Sequence, residues 1–395
     1  MDGVHIPEER HRPQIAEVLS TALNFPIERV RLRSKDFVLE ETRVVTEDDR
    51  VVATAAELRF HQWFGGKPLA CSGIWGVATL PEHRSQGWAT VCIESLARKA
   101  HDRGDVVTAL FPAVLPAYRK MGYELAGTFV EHRVSLDTIR PPRGQLPQVA
   151  LADADRDVDG VRAAYREWIR PHTGPVEPVD ETYWRGRVFQ RLGDDTARAV
   201  VVREGGRVTG FAVFSREADP GLFDIAFGLS CHMLFATTGS AWEALFGYFR
   251  GFRGVGRWVR WSGPHIDPGA LAHTDMHIDR PTRLDWMLRL LDVPGAFEGR
   301  GYPPVNAVAT VAVDDPWFAE NAGPWRIELR GGMAKVARAD SGSRPVPIGA
   351  LSAIFTGYLR PHDAVRLGFL DAGDPAVEGL AMMLAGPDPW CPLFF

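Results

Sequence analysis

Apolar residues follow two spacings along the chain, and each spacing predicts one kind of element. Residues 14–25 carry apolar side chains at helical intervals, which predicts a helix. Three apolar runs follow, and pairs of turn-forming residues separate them, as is typical of an antiparallel meander. The runs are 41–47, 51–64 and 68–80, with Asp48-Asp49 and Gly65-Gly66 between them.

The clearest helical pattern starts at Gly87 and ends near Asp102, with Gly104 as the residue expected just beyond its end. Its apolar stripe has i, i+3, i+4 and i+7 spacing and consists of Ile93, Leu96, Ala97 and Ala100. The chain then predicts a buried strand over 105–111, a short helix over 115–121 and a strand over 123–136. This order of elements predicts a mixed α/β (α+β) domain.

The composition changes at residues 141–147, PPRGQLP, which predicts a domain linker. A second α/β unit follows, in which a hairpin turning at Gly205-Gly206 precedes a helix, as in the first unit. A third region begins near Asp285 with a segment, 286–302, that we interpret as a helix. We therefore predict three domains, which are 1–140, 148–284 and 285–395.

The composition is that of an ordinary globular protein, and it excludes several classes of function. Hydrophobic residues make up 45% and charged residues 24%, and the formal net charge is −5, so the chain offers no basic surface for nucleic acid. No run approaches about eighteen consecutive apolar residues, so we expect no membrane segment. The four cysteines are isolated and lack metal-binding spacing, and no secretory signal opens the chain. We therefore expect no metal cofactor and a cytoplasmic location.

The junction at residues 75–98, WGVATLPEHRSQGWATVCIESLAR, combines a strand, an arginine, a glycine and a helix. A helix N-terminus presents unpaired N–H groups and the positive end of a dipole, so it binds phosphate readily. Gly87 allows the backbone to approach an anion closely, and Arg84 adds a cation. Neither a Walker A loop nor a GxGxxG motif is present. The alternative is an ordinary helix start whose arginine faces solvent.

The order Arg-x-x-Gly-x-Ala after a strand resembles the pyrophosphate cradle of the GNAT acetyltransferases. The resemblance implies that the chain binds acetyl-CoA as an acyl donor, with backbone N–H groups at the end of the strand polarising the thioester carbonyl. The residues that it implies in this site are Val77, Ala78, Thr79, Arg84, Ser85, Gln86, Gly87, Trp88, Ala89 and Thr90.

The segment AYRKMGYE, which follows the strand over 105–111, resembles the Tyr-x-x-x-Gly-[Tyr/Phe] stretch of the same family. The resemblance implies that Tyr118 is the general acid that protonates the departing CoA thiolate. A tyrosine with an ordinary pKa near 10 is protonated at pH 7 and can donate. The alternative is a core tyrosine whose hydroxyl lies at the surface.

The whole chain resembles the Eis (enhanced intracellular survival) N-acetyltransferases in layout. These proteins have a GNAT domain, a degenerate GNAT-like domain and a domain similar to sterol carrier proteins. The segment 286–302 and the terminal run DPWCPLFF resemble the corresponding Eis segments. The resemblance implies a homo-hexamer in which the α-carboxylate of Phe395 is the general base. The alternative is a terminus that docks only for packing.

Two positions bear on which molecule accepts the acetyl group. Where aminoglycoside-modifying Eis proteins carry acidic residues, this chain has Asn24 and Phe394. Fewer carboxylates weaken the recognition of a polycation, so we expect an amine-bearing small molecule that is less cationic than an aminoglycoside. The substrate-binding residues implied by the resemblance are Asn24, Phe25, Phe37, Trp63 and Phe394. Core packing is the alternative for the aromatic ones.

Three other functions remain open at this point. A larger acyl group or a hydroxyl acceptor would make the chain a tailoring enzyme of natural products. That role, like antibiotic resistance, suits an Arg/Ala/Gly/Pro-rich composition resembling that of actinobacterial proteins. An inactive GNAT domain would make the chain a non-catalytic acyl-CoA-binding protein. The third domain would allow a lipid carrier, although a fold does not bring its function with it.

Overall fold

A computed structural model describes residues 3–23, 26–34, 38–189, 197–219, 225–275, 278–342 and 344–395. The chain forms two compact units. The first consists of Met1–Ala126, Asp285–Asp388 and Phe395, and the second of Gly127–Leu284 and Pro389–Phe394. The first unit therefore combines the beginning of the chain with most of its last third. The three domain boundaries given above stay a prediction.

The N-terminal part of the first unit is a twisted sheet with helices packed on it. Its strands lie in the order Thr42–Glu47, Arg50–Phe64, Lys67–Thr79, Val107–Leu110 and Arg283–Leu290. Lys67–Thr79 and Val107–Leu110 run parallel, and the other neighbouring strands in this order run antiparallel. The helices are Arg12–Leu23, Ile27–Ser34, Trp88–Asp102 and Leu115–Lys120, with single 3₁₀ turns at Glu9–His11, Leu39–Glu41 and Pro81–His83.

The predicted turns and the predicted helix stripe are confirmed. Asp48, Asp49, Gly65 and Gly66 all have positive φ, as two-residue hairpin turns require. Gly104 has φ of 93° just beyond the helix Trp88–Asp102. All four stripe residues of this helix are buried, and Ile93 and Leu96 pack in one core with side chains of the first helix and the sheet.

The C-terminal part of the first unit has its own four-stranded sheet. Its strands lie in the order Met333–Arg338, Gly323–Arg330, Ala307–Asp314 and Val346–Pro347. The helices are Val293–Gly299, Ile348–Thr356, Pro361–Arg366 and Pro375–Met383, with a 3₁₀ turn at Ala319–Asn321. Every residue of the helix Ile348–Thr356 is buried.

The second unit is built on a mixed sheet whose strands lie in the order Glu124–Ser135, Gly256–Gly263, Phe227–Ala236, Arg207–Ala218, Arg198–Glu204 and Val149–Leu151. A short strand, Val176–Pro178, lies outside this order. The helices are Ala154–Ile169, Glu181–Tyr183, Gly239–Arg250 and Pro268–His273, with a π-helical turn at Trp184–Phe189 and a 3₁₀ turn at Leu136–Thr138. The predicted hairpin at Gly205-Gly206 is confirmed by the antiparallel pairing of the strands on either side.

The prediction of one helix over 286–302 is wrong. Arg283–Leu290 is a strand, which pairs antiparallel with Val107–Leu110, and the helix Val293–Gly299 begins only after it. The Asp292 side chain caps this helix by accepting from the N–H of Gly295, and Pro294 lies in its first turn. A short run that is apolar on both faces has no decisive period, because a buried strand and a buried helix look alike in sequence.

Candidate active site

The helix Trp88–Asp102 begins with open backbone at the junction singled out in the sequence. Gly87 is its N-cap residue with φ of 84°, and no side chain caps the first turn. A Cβ at Gly87 would meet no atom within 4 Å, so the glycine is required for its backbone conformation and leaves space above the helix end. Arg84, Ser85 and Gln86 are exposed beside it. An uncapped helix start with an adjacent cation fits a bound phosphate.

The strand that leads to this junction extends beyond the last residue of its neighbour, and we call the end of their pairing the separation of the two strands. Lys67–Thr79 pairs with Val107–Leu110 only as far as Ile74, opposite Leu110. From Trp75 onward it pairs with Arg50–Phe64 alone among the described strands, across a register shift next to Gly76, whose φ is 60°. A bulge of this kind re-aims the backbone. The main chain at Val77 and Thr79 therefore has no paired strand on that side among the described strands.

Tyr118 lies on the helix Leu115–Lys120, which follows the strand Val107–Leu110. Its side chain is largely buried and lies edge-to-face with Tyr123, with 6.4 Å between ring centroids. Burial raises the pKa of Tyr118, so the hydroxyl stays protonated near neutral pH. Among the described residues the hydroxyl has no hydrogen-bond partner. Within the described part of the chain, no hydrogen bond therefore occupies this proton donor.

The other two residues of the tyrosine motif have structural roles. Gly122 has φ of 82°, and a Cβ there would lie 2.8 Å from Cγ2 of Ile348 and 3.0 Å from Nε of Arg289. The hydroxyl of Tyr123 lies 3.2 Å from Oγ1 of Thr108 in the core, and burial raises the pKa of Tyr123. Glycine is needed at this position for both conformation and space, and Tyr123 offers no exposed proton.

The ring of Phe395 lies in the first unit, on the strands near the point where they separate. Its centroid is 4.9 Å from that of Phe60 and 5.3 Å from that of Phe111. A Cβ at Gly73 would come within 3.0 Å of the Phe395 ring and 2.4 Å of the Phe60 ring. Gly73 pairs with Ala109, one position before the separation at Ile74. The absent side chain of Gly73 therefore makes room for both rings.

The residues predicted to bind the acetyl acceptor do not form one cluster among the described residues. Phe394, in the second unit, is 59% exposed, and its centroid is 6.3 Å from that of Phe129. Trp63 is buried and pairs with Pro68 near the Gly65-Gly66 turn. The alternation of side chains along the strand places Trp63 on the opposite sheet face from Phe60. Asn24, Phe25 and Phe37 lie outside the described residues.

Sequence reasoning did not identify four residues that contact the candidate site. Phe60, Phe111 and Gly73 surround the Phe395 ring, and Arg289 hydrogen-bonds to the residue that ends the Tyr118 helix. Gly73 carried a usable signal, because an isolated glycine inside an apolar strand often marks a close approach. Phe60 and Phe111 are ordinary apolar positions in sequence, and nothing in the sequence around Arg289 indicates that this arginine is buried.

The corresponding helix of the second unit begins differently. Thr238 caps Gly239–Arg250 by accepting from the N–H of Ala241. The carboxylate of Glu204 accepts from Oγ of Ser240 at 2.5 Å and from Oγ1 of Thr238 at 2.6 Å, and these hydrogen bonds lower the pKa of Glu204. A carboxylate of the chain itself thus lies at this helix start, in contrast with the open start at Gly87.

The described residues contain no cluster of three or more His, Cys, Asp or Glu side chains suited to a metal ion. No described helix is long and apolar enough to span a membrane. The four cysteines are buried, and burial raises the pKa values of Cys92 and Cys391 to about 12, so these thiols are poor nucleophiles.

Comparison with known domain families assigns three parts of the chain. Residues 5–126 match an acetyltransferase (GNAT) domain family, and residues 180–290 match a second GNAT domain family. Residues 293–392 match the sterol carrier protein domain.

Relatives and solved structures extend over nearly the whole chain. A protein of Streptomyces avermitilis, named an uncharacterized N-acetyltransferase, is 26% identical over 370 residues, or 84% of this chain and 82% of the relative. A protein of Streptomyces coelicolor, also named an uncharacterized N-acetyltransferase, is 27% identical over 379 residues, which are 88% of this chain and 86% of the relative. A GCN5-related N-acetyltransferase from Anabaena variabilis superposes with a TM-score of 0.90 at 23% identity, covering 99% of each chain. Eis1 from Mycobacterium abscessus superposes with a TM-score of 0.77 at 19% sequence identity, and the match also covers 99% of each chain.

The fold, the open helix start and these matches define the class of protein. The chain is a GNAT acyltransferase with two GNAT domains and a sterol carrier protein domain. The predicted Eis-type architecture, two GNAT domains followed by a sterol carrier protein domain, is confirmed, and Eis1 is a structural neighbour of this chain. Enzymes of the GNAT class use acetyl-CoA, and the uncapped helix at Gly87 fits its pyrophosphate.

Proposed function

We propose that this chain transfers an acetyl group from acetyl-CoA directly to an amine-bearing small molecule that is less cationic than an aminoglycoside. One observation carries the proposal. The open helix start at Gly87, the protonated Tyr118 and the Phe395 ring all belong to the first unit, around strands that separate after Ile74. A strand segment that lacks one paired neighbour, next to an uncapped helix start, supports the proposal that a thioester meets an acid and a base at this place.

In this proposal the junction holds the acyl donor. Backbone N–H groups at Gly87, Trp88 and Ala89 bind the pyrophosphate, and the exposed Arg84 adds a cation beside it. Ser85, Gln86 and Thr90 complete the helix start, while Val77, Ala78 and Thr79 offer the strand backbone. An N–H of that strand stabilises the negative charge that develops on the thioester oxygen during attack.

Phe395 and Tyr118 move the two protons of the transfer. The α-carboxylate of Phe395 accepts a proton from the acceptor ammonium, because only the free amine can attack the carbonyl carbon. As the new C–N bond forms and the C–S bond breaks, the Tyr118 hydroxyl donates its proton to the departing sulfur. The nitrogen becomes positively charged as it attacks, and the second proton that it loses restores the Tyr118 phenol. The net products are the amide, the CoA thiol and one proton, which the carboxyl group releases to water. Burial raises the pKa of Tyr118, which keeps that proton available. The acetyl donor supplies only the activated carbonyl.

The acceptor class rests on Asn24 and Phe394, in place of acidic residues. Phe394 is exposed and aromatic, so it offers an apolar surface to an amine rather than a charge. Phe25, Phe37 and Trp63 belong to the same proposal, although the burial of Trp63 favours core packing for that residue. A homo-hexamer and a cytoplasmic location complete the proposal. Sedimentation equilibrium and cell fractionation test these two points, and a monomer or a membrane-bound protein would contradict them.

An assay of free thiol release with acetyl-CoA tests the acceptor class. The panel contains simple alkyl and aryl amines, kanamycin-like aminoglycosides and alcohols. We expect kcat/KM for at least one simple amine to exceed that for every aminoglycoside, because a polycation finds fewer carboxylates to bind. A higher value for kanamycin than for every simple amine would overturn the proposal. Turnover only with an alcohol, or only with a longer acyl-CoA, would favour the natural-product alternative.

Gly87→Glu should raise the Kd for CoA by more than tenfold in calorimetry, because a negative side chain would stand at the pyrophosphate site. Gly87→Ala separates strain from charge, since φ of 84° strains any side chain but a Cβ there meets no atom within 4 Å. Gly104→Glu is the matched control at the other end of the same helix, with φ of 93° and equally open space. Equal affinity in Gly87→Glu and Gly104→Glu would remove the cradle assignment.

A further inference from the structure

A buried arginine from the last third of the chain holds the end of the helix that carries Tyr118. Arg289 lies on the strand Arg283–Leu290 and is 0% exposed. Its Nε donates to the carbonyl oxygen of Met121 at 2.9 Å. Met121 is the C-cap residue of the helix Leu115–Lys120. The link therefore joins residues that are distant in sequence at a point one turn from the proposed acid.

An ion pair, hydrogen bonds and two aromatic rings hold the Arg289 guanidinium in place within the first unit. It forms a fully buried ion pair with Asp315, and its Nη1 donates to the carbonyl oxygen of Leu290 at 2.8 Å. The rings of Trp317 and Phe318 face it, at 5.0 and 4.9 Å from their centroids. Burying a charged pair is costly, and apolar residues of similar volume often serve stability equally well. Stability alone therefore does not explain why an arginine stands here.

The geometry at the helix end shows what the arginine supports. The N–H groups of Met121 and Tyr123 both donate to the carbonyl oxygen of Tyr118, at 2.9 and 3.2 Å. The last carbonyls of a helix lack intrahelical donors, and a cation there also complements the dipole. Gly122 has no Cβ, and one would lie only 3.0 Å from Nε of Arg289. The motif glycine thus lets the arginine reach the backbone beside Tyr118.

We propose that Arg289 is a positioning residue for the general acid. It fixes the main chain that closes the Tyr118 helix, and so sets where the Tyr118 hydroxyl meets the leaving sulfur. This inference rests on the proposed function, in which Tyr118 donates the proton. A catalytic group displaced by a fraction of an ångström loses much of its effect, since a misplacement of about 1 Å costs on the order of 10²-fold.

Arg289→Lys tests this role, because lysine keeps the positive charge beside Asp315 but has no planar fork to bond Asp315 and Met121 together. We expect kcat to fall about tenfold, with less than a twofold change in the Kd for CoA. Arg300→Lys is the matched control. Arg300 is a second buried arginine of this unit, which donates to the carbonyl oxygen of Phe355, away from the Tyr118 helix. Its replacement should lower the Tm while kcat stays within twofold of wild type.

A double-mutant cycle with Tyr118→Phe separates positioning from a purely structural role. If Arg289 acts through Tyr118, Arg289→Lys should lower kcat by less than twofold in the Tyr118→Phe background. A tenfold loss that persists in that background, or an equal loss in Arg300→Lys, would overturn the inference while leaving the proposed function intact. A wild-type kcat for Tyr118→Phe alone would instead remove the proposed acid, and the inference with it. If Arg289→Lys does not fold, Asp315→Glu replaces it in the cycle, because it displaces the guanidinium while both charges are kept. It is expected to lower kcat about tenfold by itself and less than twofold in the Tyr118→Phe background.

Discussion

Tyr118→Phe is expected to lower kcat by about 10²-fold or more, with less than a twofold change in the Kd for CoA. Without the phenol the thiolate must leave unprotonated or take its proton from water. The ring itself stays packed against Tyr123, so the substitution removes one oxygen and little else. Stopped-flow measurement of thiol release at saturating acetyl-CoA, together with calorimetry, separates the chemical step from binding.

Tyr123→Phe is the matched control, because it removes the same atom from the neighbouring tyrosine. The Tyr123 hydroxyl bonds to Thr108 in the core and has no access to a substrate. Its loss should lower the Tm by a few degrees and leave kcat within twofold. Similar losses of kcat in the two variants would point to packing of the tyrosine pair rather than to proton donation.

The pH dependence of kcat provides a second reading of the same residue. The acid must be protonated, so its contribution is present below its pKa and is lost as the pH rises through it. Burial raises the pKa of Tyr118, which places that loss above pH 10. We therefore expect no decline of kcat between pH 8 and pH 10 that depends on Tyr118. A decline in that range that disappears in Tyr118→Phe would show that the side chain titrates as an ordinary or acidified phenol.

Local chemistry made part of this molecule predictable from sequence. The turns at Asp48-Asp49 and Gly65-Gly66 and the helix that starts after Gly87 depend on residues close together in the chain, and all appear as expected. The strand Arg283–Leu290 depends instead on Val107–Leu110, its distant pairing partner. No period in the segment itself reveals that partner, which is why the sequence alone predicts a helix there.

The candidate site divides along the same line. Arg84, Gly87 and Tyr118 belong to short motifs whose spacing carries their chemistry. Phe60 lies in the strand Arg50–Phe64 and Phe111 directly follows the strand Val107–Leu110, so both residues that contact the Phe395 ring are far from the chain end and from each other in sequence. Arg289 reaches Met121 only because its strand, Arg283–Leu290, pairs with Val107–Leu110 in the sheet. Contacts made by folding, rather than by spacing, were the ones that sequence reasoning could not supply.

Deleting Phe395, or appending a histidine tag after it, should each lower kcat at pH 7 by about 10²-fold. Deletion moves the terminal carboxylate back by up to about 3.5 Å, beyond hydrogen-bond reach of the same proton. The tag leaves the residue in the chain but turns its carboxylate into a neutral amide. The same tag at the N-terminus should leave kcat unchanged.

The ring and the carboxylate of Phe395 have to be tested separately. Phe395→Ala keeps the carboxylate but loses the contacts with Phe60 and Phe111. Gly73→Ala leaves the terminal residue and its carboxylate chemically unchanged. It introduces a Cβ 3.0 Å from the Phe395 ring and 2.4 Å from that of Phe60, so both rings must shift. If the ring only orients the base, both variants should lose less activity than the deletion. Equal losses in all three would assign the effect to packing.

Turnover at raised pH decides between the two readings of the terminus. A base matters less where more of the acceptor is already deprotonated, so the deletion variant should recover toward wild type as the pH approaches the pKa of the acceptor amine. A terminus that serves only for packing gives no such recovery, because the loss of apolar contacts does not depend on the protonation of the acceptor. Full activity of a C-terminally tagged enzyme at pH 7 would exclude the carboxylate as the base, and a loss without recovery would assign Phe395 to packing.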